Sequence, residues 1–150
     1  MSERLERRFP NLRTTPYLLT SEATETYNCI AWAAGDDRRW WASWAGGEEE
    51  LSFAYWPAGV PRQETTDAWA AVFTARGFTP CDHPRPEPGV EKVALYATAD
   101  GRPTHVARQL PDGRWTSKLG KGVDLTHELA GLEGEAYGAV VRLLRRGPER

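Results

Sequence analysis

Tyr27-Asn28-Cys29-Ile30-Ala31-Trp32-Ala33-Ala34 decides how this chain is read. Thr24 and Thr26 are good N-cap residues, good helix formers follow Cys29, and Gly35 stops the run. Tyr27, Ile30, Ala31 and Ala34 recur at helical spacing, so the stretch predicts a short helix with one buried face. Cys29 lies off that stripe in the first turn or two, where unpaired N–H groups and the helix dipole favour a thiolate. The dipole alone is too weak. Lowering a thiol pKa by about two units takes roughly 2.7 kcal/mol, and a helix terminus supplies about 0.3–1 kcal/mol. A nucleophilic cysteine here needs a histidine. The same stretch reads equally well as a small buried hydrophobe among alanines and tryptophans.

Composition sets the frame for that choice. The chain has 150 residues, 40% hydrophobic and 27% charged, with a net charge of −2. This length suits one domain able to bury a core without disulfide or metal. The balance argues against a nucleic-acid scaffold, whose basic patch should be visible. Arginines cluster at both ends, at positions 4, 7 and 8 and at 142, 145, 146 and 150, and read as solvated faces. No apolar run is long enough for a membrane span, and no signal-peptide pattern opens the chain. The expectation is a cytoplasmic protein with Cys29 and Cys81 reduced, export by a signal-less route being the alternative.

Working outward, residues 1–16 are charged and proline-containing and are expected to form an irregular arm. Residues 17–146 form the expected domain and 147–150 a tail. Asp36-Asp37 is read as capping a turn or short helix that carries Trp40, Trp41 and Trp44. Residues 65–76 give the clearest helix, capped by Thr65 or Thr66 and ended by Gly77. The segment from Thr79 to Pro88 holds four prolines and is expected to be irregular. From Val90 the period changes to two. Strands are predicted at Val93–Ala97, Thr104–Leu110 and around Arg114–Ser117, with turns at Asp100-Gly101 and Pro111-Asp112-Gly113. Asp124–Leu132 is read as loop or a short turn of helix, and Tyr137–Leu144 as a last strand. Helices followed by an antiparallel β-meander make an α+β domain.

The order of groups is a cysteine opening a helix, a histidine (His105) opening a strand, and a polar residue (Ser117) on the next strand. This resembles the papain-like cysteine peptidases, and the NlpC/P60 branch most closely. The resemblance rests on Tyr27-Asn28-Cys29, His105-Val106-Ala107, the Pro111-Asp112-Gly113 hairpin and Ser117, which the hairpin brings to the family's third position without a gap. Asn28 stands where that branch has Asp, and Ser117 where it has His, Asn or Gln. The stretches Asn28–Ala33 and Trp115–Gly120 also resemble a family of small uncharacterised bacterial domains without established activity.

The resemblance implies a papain-like fold with N-terminal helices packed on the meander. It also implies a thiol hydrolase or acyl-transfer enzyme acting on peptide or isopeptide bonds. Cys29 would be the nucleophile, His105 the base and Ser117 its orienter. Tyr27 and Asn28 are oxyanion candidates, Asp124 and His127 alternative orienters, and Trp32, Trp40, Trp41 and Trp56 candidate cleft walls. The expected partner is a peptide or protein substrate, with no nucleic acid, membrane or cofactor. The alternative is an inactive papain-like domain that binds a peptide or partner protein. No metal is expected, because Cys81-Asp82-His83 lacks a second ligand pair at metal-binding spacing.

Overall fold

The structure, a computed structural model, describes residues 2–42, 54–119 and 122–147. Its framework is a seven-stranded antiparallel sheet. In chain order its strands are β1 (Tyr17–Leu19), β4 (Thr79–Cys81), β5 (Glu91–Ala97), β6 (Pro103–Gln109), β7 (Trp115–Lys118), β8 (Asp124–His127) and β9 (Ala139–Arg146). In space they run β1-β8-β7-β6-β5-β9-β4. A separate parallel pair joins β2 (Trp40–Trp41) to β3 (Ala54–Tyr55). Three α-helices complete the described residues: α1 (Ser2–Arg8), α2 (Cys29–Ala33) and α3 (Thr66–Thr74). The protein is thus mixed α/β, dominated by one antiparallel sheet.

Burial on β5 explains the layering. Residues 92–97 are all buried, whichever way they point, as expected of a strand covered on both faces. Val93 and Leu95, with Val106 and Leu144, meet α2, α3, Trp41 and Trp56. Ala94, Tyr96, Ala107, Trp115 and Leu125 face the other way, onto Phe9, Leu12 and Leu132. A nine-residue helix such as α3 is marginal alone. Its Val72 and Phe73 are fully buried, and each contributes about 1.5–3 kcal/mol.

Several expectations give way to tertiary context. Most of the expected irregular arm is helical: α1 (Ser2–Arg8) and a 3-10 turn (Pro10–Arg13) carry Phe9 and Leu12 into the second face of the sheet. Trp40 and Trp41 lie on a strand rather than a turn or helix, and Trp44 falls outside the described residues. Thr79–Cys81 is an edge strand despite Pro80, a position where a missing N–H is tolerated. Asp124–His127 is a strand buried throughout, not a loop. No helix among the described residues is long and apolar enough to cross a membrane.

Candidate functional site

Asn28 fixes the start of α2. Its Oδ1 accepts the Ala31 and Trp41 N–H groups, both at 3.2 Å, and its Nδ2 donates to the Trp41 carbonyl at 2.9 Å. The helix therefore begins at Cys29, one residue after the cap, and is only five residues long. Cys29 is 8% exposed. Burial pushes its thiol up to about 11, even though the N–H groups of Val106, Ile30 and Cys29 itself face the sulfur and pull the other way. The resting group is a neutral thiol, not the thiolate that the helix terminus suggested.

The groups expected around a cysteine nucleophile fall on both sides of the sheet. His105, Ser117 and His127 are fully buried and form one hydrogen-bonded chain. His105 Nε2 lies 2.8 Å from Ser117 Oγ, and Ser117 Oγ lies 2.7 Å from His127 Nε2. His127 Nδ1 is 2.8 Å from the Glu128 carbonyl. A carbonyl only accepts, so with both rings neutral every proton in the chain is assigned. His127 Nδ1–H donates to Glu128, the Ser117 hydroxyl donates to His127 Nε2, and His105 Nε2–H donates to Ser117. This leaves a bare lone pair on His105 Nδ1, which is buried and has no partner among the described residues.

Both rings are held neutral. Burial drives His105 well below the usual histidine range, with His127 and Arg8 adding to the effect. Burial likewise lowers His127 to about 4. Tyr137 stacks on the His105 ring at 4.3 Å and 10°, and Arg8 lies 5.5 Å above Tyr137.

Cys29 belongs to the other packing cluster, with Val106, whereas the rings around His105 belong to the second. The thiol and imidazole form no hydrogen bond, since Nδ1 has no partner. The sulfur lies instead beside the edge of β6. β6 pairs with β7 only at Arg108–Thr116 and Gln109–Trp115, and no register pair joins β6 to Ser117 or Lys118. At this unpaired stretch the Val106 N–H faces the cysteine sulfur, and Ser117 reaches His105.

On the α2 side, Tyr27, Asp124, Lys118 and Trp32 surround the cysteine turn. The Tyr27 hydroxyl donates to Asp124 Oδ2 at 2.6 Å. Lys118 Nζ donates to the Thr24 and Gly122 carbonyls at 2.7 and 2.8 Å and lies over the Tyr27 ring. Trp32 stacks on Tyr27 at 5.3 Å and donates to Thr116 Oγ1. The two oxyanion candidates are thus engaged elsewhere, Asn28 in capping and Tyr27 on Asp124. Asp124 is on the opposite sheet face from His105, whereas His127 shares Ser117 with it. Trp41 and Trp56 are core residues at 2% and 4% exposure, while Trp32 and Trp40 are half-buried.

The Cys81 group is organised by a lysine. Cys81, Asp82 and His83 place ligand atoms within 4.8 Å of one another. Fully buried Lys92, however, bonds Glu87 at 2.8 Å and lies 3.4 Å from His83 Nδ1. That nitrogen also accepts the Arg85 N–H, so the ring hydrogen sits on Nε2, towards Glu87. A divalent ion at Nε2 would have to displace this proton beside an existing cation, which works against metal binding. His105 and His127 bond to Ser117 and take no part in this cluster.

Sequence reading did not single out Lys118 or Tyr137. Lys118 directly follows Ser117, and β alternation alone would have placed it on the Cys29 side. No curated protein and no solved structure matches the chain. A family model matches residues 18–145, which include Cys29, His105, Ser117, Asp124 and His127, and the chain belongs to that family, described as a domain of unknown function (DUF7689).

Proposed function

We propose that the protein is a thiol hydrolase or acyl-transfer enzyme with a papain-like arrangement, acting on amide bonds through Cys29 and His105. The observation that carries this reading is the lone pair on His105 Nδ1, which has no partner among the described residues. Leaving a buried acceptor unsatisfied costs about 1–3 kcal/mol. One hydrogen bond to Ser117, itself fixed by two more through His127 to Glu128, nevertheless holds the ring so that this acceptor is the atom left free. A histidine with only a packing role gains nothing from that arrangement.

Because the thiol is raised and the imidazole lowered, the pair rests uncharged and reacts by general-base catalysis. His105 Nδ1 takes the thiol proton as the sulfur attacks the carbonyl carbon, and Ser117 accepts from Nε2–H as the ring becomes cationic. The imidazolium then returns its Nδ1 proton to the leaving nitrogen, and a thioester remains on Cys29. Water, deprotonated by the same nitrogen, releases the acid; an amine in its place completes acyl transfer. The N–H groups of Val106, Ile30 and Cys29 that face the resting sulfur are the donors available to the oxyanion.

Three observations favour a second reading, a binding domain without chemistry. Cys29 is buried, its thiol is raised to about 11, and it makes no bond to the imidazole. Acetylation by p-nitrophenyl acetate separates the two. The enzyme reading expects p-nitrophenol release at pH 7, with the acetyl-enzyme trapped by acid quenching carrying its acetyl group on Cys29 and not on Cys81, as located by peptide mass mapping. An unmodified Cys29 supports the binding domain.

A further inference from the structure

A second buried acceptor without a partner lies on the Cys29 side of the sheet. Asp124 is 2% exposed, its Oδ2 accepts the Tyr27 hydroxyl, and its Oδ1 has no partner among the described residues. Its backbone N–H is taken by Ser21 Oγ. Tyr27, which ties the carboxylate down, is two residues before Cys29 and packs in the same cluster. It also stacks on half-buried Trp32, so a flat aromatic wall runs beside the carboxylate. An unpaired buried carboxylate oxygen is costlier than an unpaired neutral group, and the free oxygen calls for a donor that the described residues do not supply.

Local charge selects the kind of donor. Asp124 is the register partner of Lys118 across β7 and β8. The lysine ammonium is itself held by the Thr24 and Gly122 carbonyls. The two side chains already balance, so an incoming ammonium would leave a net positive charge in a site shielded from water. A neutral N–H completes the carboxylate's bonding without adding charge.

We propose that Asp124 Oδ1 accepts a backbone amide N–H on the acyl side of the substrate. The site then selects extended peptides over simple esters, free amines and N-alkylated amides. Asp124 is a specificity-determining residue rather than a catalytic one. This inference rests on Cys29 as the nucleophile and adds the class of substrate presented to it.

The test compares acetyl-Ala-Ala-chloromethyl ketone with the analogue methylated on the nitrogen between the two alanines. Each inactivation rate is divided by the iodoacetamide rate of the same protein, which removes differences in thiol reactivity. Wild type is expected to prefer the unmethylated ketone by about tenfold or more, the worth of a hydrogen bond to a charged acceptor. Asp124→Asn keeps the shape and one acceptor for Tyr27 but turns an NH2 towards the incoming N–H, and the preference should fall to about twofold or less.

In parallel, Cys29→Ala protein is titrated with acetyl-Ala-Ala-methylamide while the Tyr27 and Trp32 ring signals are followed by NMR. The same protein carrying Asp124→Asn should bind about tenfold more weakly. Peptide binding lost with Asp124→Asn, in a protein the ketones never inactivate, removes the hydrolase reading and keeps the role of Asp124. Equal rates for the two ketones, discrimination that survives Asp124→Asn, or no response to either probe overturns the assignment.

Discussion

Ser117→Ala is expected to cost about 2–6 kcal/mol of folding stability, an unusually large effect for loss of one hydroxyl. On a strand surface the same change would cost roughly 0.5–1.5 kcal/mol. Here the hydroxyl is fully buried between two imidazoles. Its loss leaves His105 Nε2–H without an acceptor and His127 Nε2 without a donor, at about 1–3 kcal/mol each. Urea unfolding at pH 7 measures this directly, and a loss below about 1 kcal/mol means that the two rings find other partners.

Acid should destabilise the protein well before its carboxylates titrate. Both imidazoles are neutral in the folded state, so the unfolded chain binds their protons first. Their contribution is complete above the unfolded histidine pKa of about 6.5 and is lost as pH falls towards the folded values. For His127, lowered to about 4, the loss is about 3 kcal/mol over that window. His105 adds to it in the same direction. Glu87, held low chiefly by its hydrogen bond from Lys92, contributes only near the foot of the window. Stability measured by urea at pH 7 and pH 4.5 should drop steeply, and His127→Gln should flatten the slope. A constant stability across that interval means that the rings take up protons in the native protein as they do in the unfolded chain.

Much of this architecture was legible in the residues. Thr65 does cap α3, with its hydroxyl oxygen accepting the Ala68 N–H at 3.0 Å. The alternation after Val90 gives the meander, and Val140–Leu144 is part of a strand. The N-terminal arm reads as irregular because charge dominates its composition, whereas two residues, Phe9 and Leu12, provide its docking. β8 is hidden in the sequence for a different reason. Asp-Leu-Thr-His carries polar groups on both sides, and these are buried by partners distant in sequence: Tyr27 for Asp124 and Ser117 for His127.

The site was legible as a set of residues but not as a geometry. Ser117 and His127 were alternatives in sequence and are consecutive members of one chain in space. Alternation along β6 could have shown that His105 and Val106 face opposite ways. The pairing of β6 with β7 at only two register positions, which lets the cysteine sulfur reach the strand edge, has no signature in the sequence. Nor does the burial that reverses the expected ionisation of Cys29.

The central claim is that His105, not spontaneous ionisation, removes the proton from Cys29. The pH profile of Cys29 acetylation by p-nitrophenyl acetate tests it most directly, in wild type and in His105→Ala. General-base catalysis predicts a rate that rises through a pKa below 6.5, levels off through neutral pH, and falls about 100-fold or more at pH 7 in His105→Ala. A rate that climbs with pH towards about 11, the raised pKa of the buried thiol, and is the same in both proteins would contradict the account.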